Sequence, residues 1–232
     1  SVDFHPVEGA GVLTEYESKR VLERVGITMT REELATTPEQ AVEISTGLGL
    51  PVALKVQSPD VPHKSDAGGV HLGATTVQEV ETAYLRVISN VKAAHPDAQI
   101  DGVLVQEMIS DGLEVILGMV HDVQFGPLVM LGLGGVYVEV FKDAAFRLPP
   151  LNAEDVHEML AELRGGSLLR GLRGEKPRDV EALVRCVVLF GDFVSHNAGR
   201  FAAAELNPVM VRHEGGGVAV ADALITMFDK LK

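Results

Sequence analysis

The chain has 232 residues, 46% of them hydrophobic and 23% charged, so it can bury one large core or two smaller ones. Asp and Glu outnumber Lys and Arg by 33 to 20, and no basic block occurs, which argues against a nucleic-acid-binding surface. A single cysteine excludes an internal disulfide, and no apolar run reaches the ~18 residues that span a bilayer, so we expect a cytoplasmic protein without membrane or nucleic-acid partners.

The first hundred residues contain three well-marked helix starts. Each places a threonine three residues before an acidic or amide side chain, which is the spacing of a capping box; the threonines are Thr14, Thr37 and Thr76. Between and after these helices, three short β-rich runs predict strands: PVALKV, GGVHLGA and DGVLVQEM. The pattern predicts a mixed α/β lobe over residues 1–102.

The rest of the chain begins with consecutive strand-like runs. LEVILGMV, PLVMLGL, VYVEVF and AAFRLPP are separated by Asp, Gly and Pro, which predicts an antiparallel meander. Two helices then begin at Asn152 and Pro177, and the second contains Cys186 as a buried structural thiol. The runs FAAAELNPVMV and GGVAVADAL predict a hairpin turned at Gly215–Gly217, with a short terminal helix after Asp222. Residues 103–232 are thus predicted to form a second α+β lobe, with a ligand cleft between the lobes.

Lys55 is the first candidate for chemistry, because it is the only charge in PVALKV. A lysine inside a buried strand costs desolvation free energy unless an anion meets it, although a lysine on an edge strand could also reach water. Further along, Gly68 and Gly69 form a pair whose N–H groups can approach a phosphate closely. A simple turn explains such a pair equally well.

Two carboxylates and a second glycine cluster follow at the junction of the lobes. Glu107 ends the strand VLVQEM and Glu114 opens the next, where they could accept hydrogen bonds from ribose hydroxyls or simply face solvent. The cluster in MLGLGGVYVEV contains Gly134 and Gly135, and a tight hairpin turn is its alternative explanation.

The string ELNPV predicts a metal site. Glu205 and Asn207 are two residues apart on a strand, so both project from one face, and Asp222 ends the neighbouring strand. Three oxygen ligands of this kind suit Mg²⁺, whereas the Cys and His spacing that zinc needs is missing. An Asn-Pro turn beside two solvated acids remains the alternative.

Six strings in this order resemble the ATP-grasp (β) part of the ADP-forming, or NDP-forming, acyl-CoA synthetases of the succinyl-CoA synthetase superfamily. They are LTEYESKRVLERVGI, PVALKVQSPDVPHKSDAGGVHLG, VLVQEM, QFGPLVMLGLGGVYVEV, ELNPVMV and VAVADALI. The resemblance covers nearly the whole chain and implies an ATP-grasp fold, with the nucleotide in the cleft between two α+β lobes. It also implies a reaction that interconverts acyl-CoA, ADP and phosphate with acid, CoA and ATP.

The resemblance further implies ATP or ADP and Mg²⁺ as cofactors and assigns residues to them. The implied phosphate-binding residues are Lys55, Gly68, Gly69, Gly134 and Gly135, the ribose and base residues are Glu107 and Glu114, and the metal ligands are Glu205, Asn207 and Asp222. His63, in HKSD, matches a histidine that relays a phosphoryl group between the ATP cleft and a distant site. A neutral imidazole can act as this nucleophile, and a mobile loop would allow the transport.

The same resemblance implies a partner. The CoA-binding part and the first phosphorylated histidine belong to an α subunit or a fused domain, so we expect a hetero-oligomer or a piece of a longer chain; Ser at the first position also suggests a processed end. Three alternatives remain at this point. They are a regulatory module of a fused protein acetyltransferase, a nucleotide-binding module without turnover, and a carboxylate–amine ligase acting alone.

Overall fold

The computed structural model describes residues 11–61, 63–134, 143–171, 174–197 and 199–228. The helices, in chain order, are α1 (Glu15–Glu23), α2 (Pro38–Leu48), α3 (Val77–Ala94), α4 (Ala153–Glu162) and α5 (Val180–Asn197), with a short 3₁₀ helix at Gly166–Arg170. The strands are β1 (Glu32–Ala35), β2 (Val52–Gln57), β3 (Val70–Ala74), β4 (Gly102–Glu107), β5 (Leu113–Asp122), β6 (Gly126–Leu133), β7 (Ala144–Arg147), β8 (Phe201–Val211), β9 (Val218–Val220) and β10 (Ala223–Met227).

The chain forms two compact units, and the smaller is Thr30–Ser110. Its sheet is antiparallel, in the order β1-β4-β2-β3, and α2 and α3 cover one face. Both helices begin at the predicted threonines, whose hydroxyls accept hydrogen bonds from backbone N–H groups three residues later. Alternate residues of β2, among them Leu54, pack under the helices, and the residues between them project from the opposite face.

The larger unit combines the chain up to Met29 with the chain from Asp111 onward. Its sheet is antiparallel within the described residues, in the order β10-β8-β5-β6-β7, and β9 pairs with β8. Side chains from α1, α4 and α5 share the core with alternate residues of the strands, and the largest include Leu22, Leu117, Met159, Phe190 and Phe201. Asn152 caps α4 at the predicted helix start and forms a complete capping box with Asp155.

The predicted division at residues 102 and 103 differs from the observed one for two reasons. β4 hydrogen-bonds to both β1 and β2, so it is a central strand of the Thr30–Ser110 sheet. The first helix, α1, packs instead on β10 and contributes Leu22 to the core of the larger unit. The N-terminal segment therefore belongs with the C-terminal half of the chain.

Two predicted helices of the C-terminal half differ from the structure. The terminal helix after Asp222 is wrong, because Ala223, Ile225 and Met227 alternate inward and pair along β8 as a strand. The helix predicted from Pro177 begins at Val180. The run VYVEVF lies outside the described residues.

Helix α5 carries the only cysteine of the sequence. Cys186 is buried, and burial raises the pKa of its thiol to about 12, so the reactive thiolate does not form near neutral pH. The predicted structural role is confirmed. In the described part of the chain, no helix combines the length and apolar character needed to cross a membrane.

Asp179 connects the start of α5 to the turn between β8 and β9. One carboxylate oxygen accepts from the N–H of Ala182 at 3.1 Å, and the other accepts from Gly215 at 3.0 Å and Gly217 at 2.9 Å. Burial alone would raise the pKa of this carboxyl, but these three hydrogen bonds, with the charge of Arg185, bring the pKa below its usual value. The ionised carboxylate thus stabilises the predicted hairpin turn.

We predict that Asp179→Ala lowers the free energy of unfolding by about 1–2 kcal/mol at neutral pH, because one helix cap and two turn bonds are lost. A lowered pKa in the folded state makes this stabilisation complete above the ordinary value of 3.8 and removes it as the pH falls through the folded-state pKa. Denaturant unfolding across this pH range measures the difference. Asp192→Ala, an exposed site on the same helix, is the control; a difference that persists at low pH would contradict the assignment.

Candidate functional site

Lys55 lies in the middle of a polar face on the Thr30–Ser110 sheet. Its strand, β2, has a partner on each side, since Lys55 is opposite Leu104 of β4 and Val70 of β3, so the edge-strand explanation fails. The residue is only 7% exposed. Burial strengthens the electrostatic attraction of this cation for an anionic ligand, because the interior screens charge less than water does.

Buried polar side chains surround Lys55 on the same face. Gln57 is two residues further along β2. Gln106, on β4, lies opposite Ala53 of β2 on one side and Glu32 of β1 on the other. The Gln106 amide donates to the Thr30 hydroxyl at 2.6 Å, and this hydroxyl donates to Glu32 at 3.3 Å. Sequence reasoning missed Thr30 and Glu32, because the short strand β1 was not predicted.

Glu107 binds an arginine of the same unit. One carboxylate oxygen accepts from the Arg31 backbone N–H at 2.9 Å, and the other accepts from both Nε and Nη2 of Arg31 at 2.7 Å. Arg31 Nη2 also donates to the Leu48 carbonyl at 3.0 Å. The pair positions an exposed guanidinium beside the polar face. Sequence reasoning missed Arg31, whose partner is 76 residues away.

The Gly68–Gly69 pair has a packing role in this structure. The N–H of Gly68 donates to the Ser65 carbonyl at 3.1 Å, and the N–H of Gly69 donates to the Lys64 carbonyl at 2.7 Å. A Cβ on Gly69 would lie 2.8 Å from Val91 Cγ2 of α3 and 3.0 Å from the Lys64 oxygen. Both N–H groups therefore bind within the loop in this conformation, rather than projecting toward a phosphate.

His63 is exposed on the loop between β2 and β3, and hydrogen bonds hold this loop before and after the histidine. Before it, Asp60 accepts from the backbone N–H of Gln99 at 2.8 Å; after it, the bond from Gly69 to Lys64 closes the loop. The His63 carbonyl accepts from the Asp66 N–H at 3.2 Å, so the main chain turns here while the imidazole faces solvent.

His71 differs from His63 in its surroundings. It lies on β3, and its Nδ1 contacts the guanidinium of Arg86 on α3. Burial and the charge of Arg86 lower its pKa, which favours the neutral ring. These contacts hold His71 against α3 and give it a structural role.

In the larger unit, the structure brings together the three predicted metal ligands. The Asn207 side-chain amide donates to Glu205 Oε1 at 2.9 Å, and the Asn207 backbone N–H donates to the Asp222 carbonyl at 3.0 Å. Glu205 and Asn207 are exposed, on the strand face opposite the buried Ala204 and Leu206. The structure thus places Glu205, Asn207 and Asp222 next to one another, and their role as metal ligands stays a prediction.

The donor set of this cluster fits Mg²⁺. Each of the three side chains offers a hard oxygen, and Mg²⁺ keeps several waters and phosphate oxygens while taking one or two protein carboxylates. The described residues contain no group of three or more His, Cys, Asp and Glu that could hold a metal. Two carboxylates and one amide are hard oxygen donors, which is the ligand type that Mg²⁺ prefers.

Glu114 and Gly134 meet on the same unit. The Gly134 N–H donates to the Glu114 carbonyl at 2.8 Å, and a Cβ on Gly134 would lie 2.8 Å from Glu114 Cβ. Glu114 is exposed at the start of β5. It lies four residues before Gly118 and so on the same face of the strand, and Gly118 is opposite Glu205. The two carboxylates thus share a sheet face. Gly135 lies outside the described residues.

Residues 6–227 match the profile of the ATP-grasp domain. The chain is 38% identical over 220 residues to the β subunit of ADP-forming acetate–CoA ligase II of Pyrococcus furiosus, covering 95% of this chain and 93% of that subunit. It is 42% identical over 212 residues to ADP-forming acetate–CoA ligase I of Archaeoglobus fulgidus, covering 91% of this chain but 31% of that protein. The chain thus spans nearly all of one relative and the smaller part of another.

Solved structures of one similar enzyme give the same match. Acetyl-coenzyme A synthetase 1 of Ca. Korarchaeum cryptofilum, in complex with coenzyme A, Ca-AMPCP and HgCl+, has a TM-score of 0.88 and 42% identity, over 95% of both chains. The synthetase with coenzyme A and Mg-AMPPCP, its phosphohistidine segment pointing towards the nucleotide binding site, has a TM-score of 0.79 and 38% identity. This second match covers 94% of the present chain and 93% of the other.

We predict that Gly69→Ala destabilises the protein by about 1–3 kcal/mol, because the added methyl group meets Val91 and a backbone carbonyl. Gly47→Ala is the matched control: Gly47 lies in α2, and a Cβ added there would meet nothing within 4 Å, so alanine should stabilise slightly. Thermal and denaturant unfolding decide. A Gly69→Ala variant of unchanged stability that fails to bind ATP would instead support direct phosphate binding by the loop.

Proposed function

This chain belongs to the ATP-grasp domain family, and we propose that it is the nucleotide-binding, phosphoryl-transferring β component of an ADP-forming acyl-CoA synthetase, an acid–thiol ligase. The observation that carries the proposal is an exposed histidine, His63, on a loop beside the strand that buries Lys55, in a chain closely similar to acetate–CoA ligases. A module that only binds a nucleotide would use the buried cation but would not need the histidine. His63 therefore favours phosphoryl transfer over binding alone.

Lys55 is proposed to bind the phosphates of ATP. A buried ammonium makes strong, charge-assisted hydrogen bonds to phosphate oxygens, and it stabilises the negative charge that develops during transfer. Gly68 and Gly69 shape the adjacent loop by packing on α3. Glu107 is proposed to act by orienting Arg31, and Glu114, Gly134 and Gly135 are proposed to contribute to nucleotide binding.

Glu205, Asn207 and Asp222 are proposed to hold Mg²⁺. When bound, the ion neutralises charge on the phosphate oxygens and orients them for transfer. The hydrogen bond from Asn207 to Glu205 uses the amide nitrogen, so the amide oxygen of Asn207 can still serve as a ligand. The main-chain bond between Asn207 and Asp222 sets the distance between the backbones of these two ligands.

His63 is proposed to be the nucleophile of the relay. In the direction from ATP, a ring nitrogen forms a bond to the γ-phosphorus as the bond to the ADP oxygen breaks, which leaves ADP and a phosphohistidine. Phosphoryl transfer to the acid then forms an acyl phosphate, from which CoA displaces phosphate; the reverse sequence makes ATP. The exposed imidazole on an anchored loop is suited to hand its phosphoryl group to a site outside this chain.

The acceptor chemistry is proposed to belong to a partner or a fused domain. One relative is a β subunit of similar length, and another is a chain of which this one covers 31%. We propose that the additional part binds CoA and carries the first phosphohistidine, so that the present chain turns over only with it.

We predict that Lys55→Met weakens ATP binding by about 1.5–3 kcal/mol, because it removes charge-assisted bonds but keeps most of the buried side-chain volume. Calorimetric titration with Mg-ATP measures the affinity. Lys92→Met, at an exposed site in α3, is the control for the loss of one charge. Equal affinity in the wild type and a folded Lys55→Met variant would remove Lys55 from the site.

We predict that His63→Ala keeps Mg-ATP binding but abolishes acyl-CoA-dependent ATP formation in the presence of the CoA-binding partner. The wild type, treated with labelled ATP, should carry acid-labile, base-stable phosphate on His63 even when the partner's own histidine is substituted. His71→Ala serves as the histidine control, since His71 packs on Arg86.

The His63 experiment also separates the alternatives. Near-normal turnover by His63→Ala would overturn the relay. A wild type that binds ATP but forms no phosphohistidine with any partner would favour a regulatory nucleotide-binding module over a ligase.

A further inference from the structure

An ion pair is buried in α1, a helix that carries none of the residues proposed to bind nucleotide or metal. Lys19 Nζ lies 2.9 Å from Glu15 Oε1, and the two side chains are 0% and 1% exposed. The same ammonium donates to the main-chain carbonyl of Ala221 at 2.8 Å. Lys19 of α1 thus places a buried positive charge against one peptide group in the connection between β9 and β10.

That peptide group precedes Asp222, a proposed metal ligand. Backbone bonds hold the same segment from other sides: Val220 donates to the Thr28 carbonyl at 2.9 Å, and Ala221 donates to the Pro208 carbonyl at 2.9 Å. The Asp222 carbonyl accepts from Asn207 at 3.0 Å. Lys19 adds a charge-assisted bond, which is stronger than a neutral one, at the residue immediately before the carboxylate.

Stability alone does not account for this pair. Two buried charges lose their hydration, and well-packed apolar residues of similar volume often stabilise a protein as well or better. The surrounding core supplies such residues, since Leu22 on the same helix is fully buried. What an apolar pair cannot do is hold the Ala221 carbonyl in one position.

We infer that Lys19, oriented by Glu15, is a positioning residue that fixes the Ala221–Asp222 main chain and thereby the Asp222 carboxylate for Mg²⁺. The inference rests on the proposed metal role of Asp222 and adds a residue of α1 that touches neither metal nor nucleotide. Partners of metal ligands tune affinity in this way, by orienting the ligands that they contact.

The test is the double variant Glu15→Leu/Lys19→Met, which replaces both charges by apolar side chains of similar volume. Two quantities are measured: the melting temperature, and the Mg²⁺ concentration for half-maximal binding of the non-hydrolysable analogue AMPPCP by the chain. We expect an unchanged or higher melting temperature and a Mg²⁺ requirement raised about 10- to 100-fold. Asp222→Ala is the reference and should raise the requirement at least as much.

Ser18→Ala is the matched control on the same helix. The Ser18 hydroxyl accepts from the Ile225 N–H at 3.1 Å, so it tethers β10 without acting on the Ala221–Asp222 peptide. This variant should lower the melting temperature and leave the Mg²⁺ requirement unchanged, which separates a loss of stability from a loss of positioning.

An unchanged Mg²⁺ requirement in the folded double variant would overturn the positioning role while leaving the proposed function intact. A wild type whose AMPPCP binding does not depend on Mg²⁺ would contradict the proposed function itself, and the inference with it. Should the double variant not fold, Glu15→Gln/Lys19→Met repeats the test, because it also removes the bond to Ala221 and changes the side-chain volume less. An unchanged requirement in that folded variant would equally overturn the inference.

Discussion

Side chains alternate between the two faces of a strand, and in each of the two sheets helices cover one of those faces. This alternation determines which residues of each strand are buried in the core and which project from the other face. Leu54 lies under α2 and α3, so its neighbour Lys55 must project from the other face, and Leu206 in the larger core places Glu205 and Asn207 opposite. Apolar burial therefore provides the stability, and the same alternation presents the polar groups without any further device.

Three charged side chains bind backbone groups in distant segments of the chain. Asp179 binds two N–H groups of a turn, Glu107 binds the main chain as well as the guanidinium of Arg31, and Lys19 binds a carbonyl. Such bonds fix loops more tightly than exposed ion pairs, which contribute little because water and salt screen them. The segment that carries Asp222 is thus held by a charge from α1, which is distant in the sequence.

Local patterns predicted most of the fold, and they failed where the decisive partner is remote. Capping boxes located the helices, and a spacing of two residues brought Glu205 and Asn207 together, because both signals act within one element. The terminal helix was wrong because the pairing of Ile225 with β8 outweighs a local tendency that is ambiguous over five residues. Arg31 could not be found, since its carboxylate partner is 76 residues away and only the sheet brings them together.

The bonds of the His63 loop bear on how a relay could work. Moving His63 away from its position would break the turn bond to Asp66 and the bonds of Gly68 and Gly69, each worth about 0.5–1.5 kcal/mol net. That cost is small enough for binding of a charged phosphate to offset, because charge-assisted bonds contribute more than neutral ones. The same movement would release the N–H groups of both glycines. A packing role for the loop as observed and a phosphate-binding role after such a movement are therefore compatible.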